Sequence, residues 1–423
     1  MSEDALTTTR HPSGSQDFGI PRRALRRLAY TALFFGCIHP FSITGGLSAN
    51  YAFLILPLVL ALLQGRVRNP GDMLMVAIIY YVAVLLVAAL YQYDFANESP
   101  RRLLSFVIFM SMFSYAFITI DADKVAAFKT AVVCISIYFS ISSASELLSL
   151  GTVGFEAKDI VGTQRFGFIY LLAIWLLCVD RQQKKVWRVA RYPILAVVLA
   201  GLLLTFSRSS IVALLVSVTL FGIVRNGKWL ANITLIGVVR ALGVLIGLAV
   251  MLFLLFTVFP VAFQFFDVRL FEFFANSDGV RAALEDTSSS EGSRIVIATR
   301  ILEFVVRNPL TGAGYLGVWV VPGFPGGSAH NQYTDVLFRT GFIGLFLYGC
   351  ILVGLLRFLW RREEALFWGF VGVLAYGLFH ETFKESQGAF VLSFLVGMMA
   401  QSWRDARTRS RALSTSSLAN RLA

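Results

Sequence analysis

Apolar residues fall in blocks of roughly 15 to 30, separated by short polar stretches, and blocks of this length match helices that cross a bilayer. The pattern predicts about twelve spans, at 28–46, 50–64, 72–91, 103–120, 125–149, 166–180, 192–206, 209–224, 230–259, 335–359, 365–380 and 387–403. Several are shorter than the roughly 20 residues a straight spanning helix needs, so one or two are expected to be broken helices. The expected fold is an all-α integral membrane protein with one large external loop, 260–334, between spans 9 and 10.

Charge fixes the expected direction of each span. Residues 1–20 are polar and lack the apolar core of a cleaved signal peptide. A basic cluster follows, Arg22, Arg23, Arg26 and Arg27, which holds the N-terminus in the cytoplasm. Even-numbered spans then end inside, and the loops after them are basic: Arg66 and Arg68; Arg181 to Arg191; Arg225 and Lys228; Arg357, Arg361 and Arg362; Arg404 to Arg411. Asp121-Ala122-Asp123-Lys124 is the weak case. The loop 260–334 has no lysine and a slight acidic excess, as an outer segment should. The expected organisation is a cytoplasmic tail (1–27), spans 1–9 (28–259), the periplasmic loop with short helices (260–334), spans 10–12 (335–403) and a basic cytoplasmic tail (404–423).

Composition excludes a soluble domain. Of 423 residues, 57% are hydrophobic and 15% charged, against about half and a quarter in ordinary globular chains. The mean hydropathy is +0.71. The net charge of +12 is placed in cytoplasmic loops, where anionic lipid rather than nucleic acid is the partner. The four cysteines, Cys37, Cys134, Cys178 and Cys350, sit far apart in apolar runs without metal or redox spacing, and read as small buried hydrophobes.

Three segments on the outer side carry candidate chemistry. In Thr205-Phe206-Ser207-Arg208-Ser209-Ser210, Arg208 either snorkels to headgroups or faces the bundle, where its rigid fork suits a phosphate. In Gly292 to Pro309, Ser293 is expected to cap a helix that Pro309 ends. Arg300, Glu303 and Arg307 then share a solvated face, while Arg294 lies in the first turn on another face with Ala298 and Ile301. Arg294 is the better anion ligand, whereas Arg300 reads mostly as structural and is kept as a further substrate-binding candidate. In Ser328-Ala329-His330-Asn331-Gln332-Tyr333, His330 either bonds backbone at a helix start or takes a proton from an attacking hydroxyl. Asn331 and Tyr333 are further substrate-binding candidates, as is Arg165. His380-Glu381 and His39-Pro40 read as structural. No phosphate loop, H-E-x-x-H or serine elbow is present, and no metal or cofactor is expected.

Together, "S-R" at the end of a span, "G-S-R…N-P-L-T-G-A-G" in the outer loop and "A-H-N-Q-Y…G-F-I-G" at re-entry resemble the O-antigen ligase and O-antigen polymerase superfamily. The resemblance covers 192–360 and implies a GT-C-like fold in the bacterial inner membrane, with a periplasmic active site. It implies an undecaprenyl-pyrophosphate-linked glycan donor and an acceptor that is either lipid A–core or another carrier-linked glycan. Membrane lipids and other envelope polysaccharide assembly proteins are the further partners. Arg208 and Arg294 would hold the pyrophosphate, and His330 would position or deprotonate the acceptor hydroxyl, without metal. A leaving pyrophosphate needs fixed positive charge rather than a protein nucleophile, and direct attack inverts the anomeric centre.

The rival classes are a transporter or flippase of lipid-linked glycan, which would want charged sites near mid-membrane, and a non-catalytic scaffold. The face argument makes a prediction: Arg300→Ala lowers glycan transfer less than Arg294→Ala, measured as product formed by equal amounts of purified protein.

Overall fold

The computed structural model describes residues 22–38, 120–150, 166–180, 185–205, 207–226, 290–313, 329–383 and 386–422. Among these residues all regular structure is helical: α1 (Arg22–Ile38), α2 (Ala122–Leu150), α3 (Gly167–Val179), α4 (Lys185–Leu204), α5 (Arg208–Asn226), α6 (Ser290–Arg307), α7 (Gln332–Arg362), α8 (Glu364–Tyr376) and α9 (Ser386–Leu422). The expected spans 50–64, 72–91 and 230–259, the end of 28–46 and nearly all of 103–120 lie outside the described residues, as does Arg165. By length and composition, Ala122–Ser145 of α2 and the whole of α7 can cross a membrane. Gly167–Val179, Val189–Leu204, Ser209–Arg225 and Glu364–Tyr376 are shorter apolar helices.

α3 is the hub. Every residue from Gly167 to Leu177 is buried, as expected of a helix apolar on all sides. It packs against α8, α2, α4 and α5. α1, α2 and α9 join it through an aromatic cluster in which Phe128 stacks on Phe394 at 4.4 Å and Phe34 meets Phe394 edge-on at 5.3 Å. Cys37 is buried, but Cys134, Cys178 and Cys350 are exposed on outer helix faces, which corrects the expectation of four buried thiols. An apolar position in a membrane bundle can face lipid as readily as core, and a sequence pattern does not separate the two.

Polar groups sort to two ends. At one, Arg23, Arg26 and Arg27 of α1 all reach Asp123 at the start of α2. Lys129 bridges Asp180 after α3 (3.0 Å) and Glu363 between α7 and α8 (2.8 Å). Gln401 of α9 exchanges two 3.0 Å hydrogen bonds with the backbone of Ile120. At the other end lie the start of α3, the turn between α4 and α5, and the end of α8.

Helix limits and continuity differ from expectation at several places. α4 starts at Lys185, inside the basic loop, because Lys185 to Arg191 contains nothing that opposes a helix. α9 continues through 404–422, which holds neither glycine nor proline. α7 is two pieces, because Gly341 has φ 64° and ψ −166°. A Cβ there would lie 2.3 Å from the Leu310 carbonyl oxygen, so only glycine fits the bend. Gly341→Ala is therefore expected to destabilise by at least about 1–3 kcal/mol, the cost of such a backbone conformation alone. Gly349→Ala, where a Cβ meets nothing within 4 Å, is expected to leave the thermal unfolding midpoint in detergent unchanged.

Candidate functional site

The second end of the bundle gathers the three segments singled out in the sequence. The α4–α5 turn is a chain of hydroxyls. Thr205 Oγ1 donates to the Leu202 carbonyl at 2.7 Å, and Ser210 Oγ donates to Ser207 Oγ at 2.9 Å. Ser207 Oγ lies 2.9 Å from Ser209 Oγ, which in turn lies 2.7 Å from His380 Nε2. Arg208 starts α5 between the last two serines, so His380 is tied to its immediate neighbour. The imidazole of His380 is oriented by stacking on Tyr376, with centroids 4.4 Å apart and rings 14° from parallel. Tyr376 is fully buried and closes on Gly167, where a Cβ would lie 2.9 Å from the ring. Only glycine lets α3 approach so closely, two residues after Arg165.

The turn after α8, Gly377–Phe383, which carries His380, also holds the segment around His330. Glu381 accepts a short hydrogen bond from the Ala329 N–H. Asn331 caps α7, its Oδ1 accepting from the N–H groups of Tyr333 (2.9 Å) and Thr334 (3.0 Å), while its Nδ2 donates to the Leu378 carbonyl (2.9 Å). Gln332 N–H donates to the Gly377 carbonyl at 2.8 Å, and its Oε1 accepts from Phe383 N–H at 2.8 Å. Tyr333 OH donates to the Leu374 carbonyl at 2.7 Å. Asn331 and Tyr333, read as substrate ligands, thus spend these groups on positioning the chain. His330 itself is half-buried and has φ 51°, in the left-handed region that a non-glycine residue seldom adopts.

α6 lies against the first piece of α7. Ile297, Ile301 and Val305 pack with Ala313, Ala329 and Phe338 in one small core, and Phe304 meets the Phe338 ring at 5.1 Å. The C-terminal turn of α6 is pinned at the bend of α7 by Ala313 N–H to the Phe338 carbonyl (2.7 Å) and Phe342 N–H to the Pro309 carbonyl (2.8 Å). α6 and Gln332–Thr340 therefore run antiparallel. At 1.5 Å per residue, Arg294 is about 15 Å along α6 from Phe304, and His330 about 12 Å back from Phe338, so the two backbones lie at a similar level. Position 294 falls about one turn before Ile297 and two before Ile301. Arg300, Glu303 and Arg307 are exposed. The helix starts at Ser290 rather than after Ser293, because the serine run 288–290 and Glu291 suit an earlier N-terminus. Arg294 is thus the fifth helical residue, beyond the first turn where it was expected.

Two features escaped the sequence reading. His380 and Glu381 were set aside as structural, yet each contacts one of the candidate segments. Asp335 and Arg339, both buried, form a 2.8 Å ion pair whose i,i+4 spacing was visible in the sequence. Among the described residues no three His, Cys, Asp or Glu side chains gather as a metal site requires.

The candidate site is therefore one end of an apolar helical bundle, where hydroxyls and two imidazoles gather and where positions 208 and 294 belong to two of the helices. Residues 193–349 match the family model described as O-Antigen ligase, a segment that includes Arg208, Arg294, His330, Asn331 and Tyr333. This independent match supports the resemblance to the O-antigen ligase and polymerase superfamily, and with it a glycosyltransferase-like membrane enzyme that acts on O-antigen in lipopolysaccharide biosynthesis. No curated protein matches the chain.

If Asn331 is a cap, Asn331→Ala lowers stability by about 0.5–2 kcal/mol, read as a fall in the unfolding midpoint. A loss of transfer at unchanged stability would instead make it a substrate ligand.

Proposed function

We propose that the protein transfers a glycan from an undecaprenyl-pyrophosphate carrier to a sugar hydroxyl at the periplasmic face of the inner membrane. It does so as an O-antigen ligase, with lipid A–core as acceptor, or as a polymerase, with another carrier-linked glycan as acceptor. The observation that carries this reading is the Gly377–Phe383 turn, which is bonded both to the start of α5, where Arg208 sits, and to the segment bearing His330. The ion pairs of the opposite end, beside the basic loops, support a cytoplasmic assignment for that end and a periplasmic one for the site.

In this reading Arg208 and Arg294 bind the pyrophosphate through their planar forks. The acceptor oxygen attacks the anomeric carbon from the face opposite the pyrophosphate. The new C–O bond forms as the old one breaks, its electron pair leaves with the pyrophosphate, and the configuration inverts. The arginine charges meet the charge growing on the leaving group, the step that preorganised electrostatics accelerates most. His330 accepts the acceptor's proton. No metal is needed where fixed guanidinium groups supply the charge. The donor's lipid tail enters sideways between helices, and Arg165 and Arg300 stand as further candidates for the donor's anionic or sugar groups.

The test is cell-free transfer by purified protein supplied with carrier-linked glycan. Ligated or polymerised product with release of polyprenyl pyrophosphate is expected, whereas glycan moved across a vesicle membrane without bond formation would mean a transporter. Arg294→Ala and His330→Asn are each expected to lower the rate by about 10²–10³-fold, the cost of losing one preorganised group. Asparagine is chosen because it tolerates the left-handed backbone of position 330. Full activity in both variants would contradict the assignment. A deletion strain separates the two acceptors: single repeat units on lipid A–core mark a lost polymerase, and bare core with polymer left on the carrier marks a lost ligase.

A further inference from the structure

His330 is held in a strained conformation by contacts from one short turn. A left-handed φ on a non-glycine residue costs about 1–3 kcal/mol and persists only where its surroundings over-determine it. On one side of His330, the N–H of Ala329 is taken by the Glu381 carboxylate. On the other, Asn331 is fixed to the Leu378 carbonyl and Gln332 to the Gly377 carbonyl. Ala329 is itself buried against α6. Of these ties, the one to Ala329 is made by a charged side chain rather than by the backbone of the turn.

One residue earlier, His380 reaches the other way, to Ser209. The hydroxyls form a chain to the imidazole: Ser210 Oγ donates to Ser207 Oγ, Ser207 Oγ lies 2.9 Å from Ser209 Oγ, and Ser209 Oγ lies 2.7 Å from His380 Nε2. Adjacent residues in the turn therefore hold different segments, His380 the start of α5 and Glu381 the backbone beside His330.

We infer that His380 and Glu381 are positioning residues, His380 setting the place of Arg208 through Ser209 and Glu381 setting the place of the His330 imidazole through Ala329. The inference rests on the proposed glycan transfer for what the two placements do. Arg208 faces the donor's pyrophosphate and His330 the acceptor's hydroxyl, so the two residues separate kinetically. Loss of the His380 tie acts on donor binding, and loss of the Glu381 tie acts on the proton-transfer step. Both lie outside the segment 193–349 that matches the family model.

The experiment uses the full-length protein in nanodiscs, with carrier-linked glycan as donor. Glu381→Ala is expected to lower kcat by about 10- to 100-fold, the scale of a misplacement near 1 Å, with the donor KM unchanged. Glu381→Gln, which keeps an acceptor for the Ala329 N–H, is expected to recover most of that loss. His380→Ala is expected to raise the donor KM about tenfold, a loss of ground-state binding, and His380→Gln to restore it. A second readout is independent of transfer. With ¹⁵N-labelled histidine, Glu381→Ala is expected to shift or broaden the imidazole resonance of His330, while Glu381→Gln leaves it in place. An unmoved His330 resonance in Glu381→Ala overturns the inference, as do equal losses in Glu381→Gln and Glu381→Ala. If the resonance moves but the wild-type protein joins no glycan, the positioning stands and the proposed function falls.

Discussion

An apolar bundle has little room for an unpaired polar group between its ends, because a buried donor or acceptor without a partner costs several kcal/mol in lipid. That constraint orders this molecule. Charges collect at one end in ion pairs that use up their neighbours: three arginines on Asp123, and Lys129 between Asp180 and Glu363. The other end gathers the hydroxyls of Thr205 to Ser210, two imidazoles, and the amides of Asn331 and Gln332. Among its described acids, Glu381 accepts from the Ala329 N–H and Asp335 pairs with Arg339.

α3 was legible because burial on all sides leaves an unbroken apolar run, and it was placed to within one residue at each end. Other helix ends were less legible. α4 and α6 begin earlier than the apolar pattern implies, since polar residues such as Lys185 and Ser290 extend a helix without marking it. The bend at Gly341 lay inside a motif that was recognised, but a glycine shows only that a bend is allowed. The demand for it comes from Leu310, about thirty residues away, whose carbonyl occupies the space of a side chain.

The candidate site divides in the same way. Arg208, Arg294 and His330 were singled out because they interrupt apolar or glycine-rich runs in segments expected to lie outside. The capping partners of Asn331, Tyr333 and Thr334, stand next to it in sequence, but its tie to Leu378 spans 47 residues and leaves no local pattern. His380 looked structural for the complementary reason: its partner Ser209 is 171 residues away. The family resemblance ends before both His380 and Glu381, so neither local pattern nor motif could join them to the rest.

The most direct measurement is side-specific labelling of single cysteines placed at Arg208, Arg294, His330 and Glu363 in a chain without its native thiols, using a membrane-impermeant maleimide on cells with a permeabilised outer membrane. The account predicts that 208, 294 and 330 react from outside and that 363 reacts only once the inner membrane is opened. Reaction of 208 and 330 from opposite sides would contradict it, since no diphosphate could then lie between them.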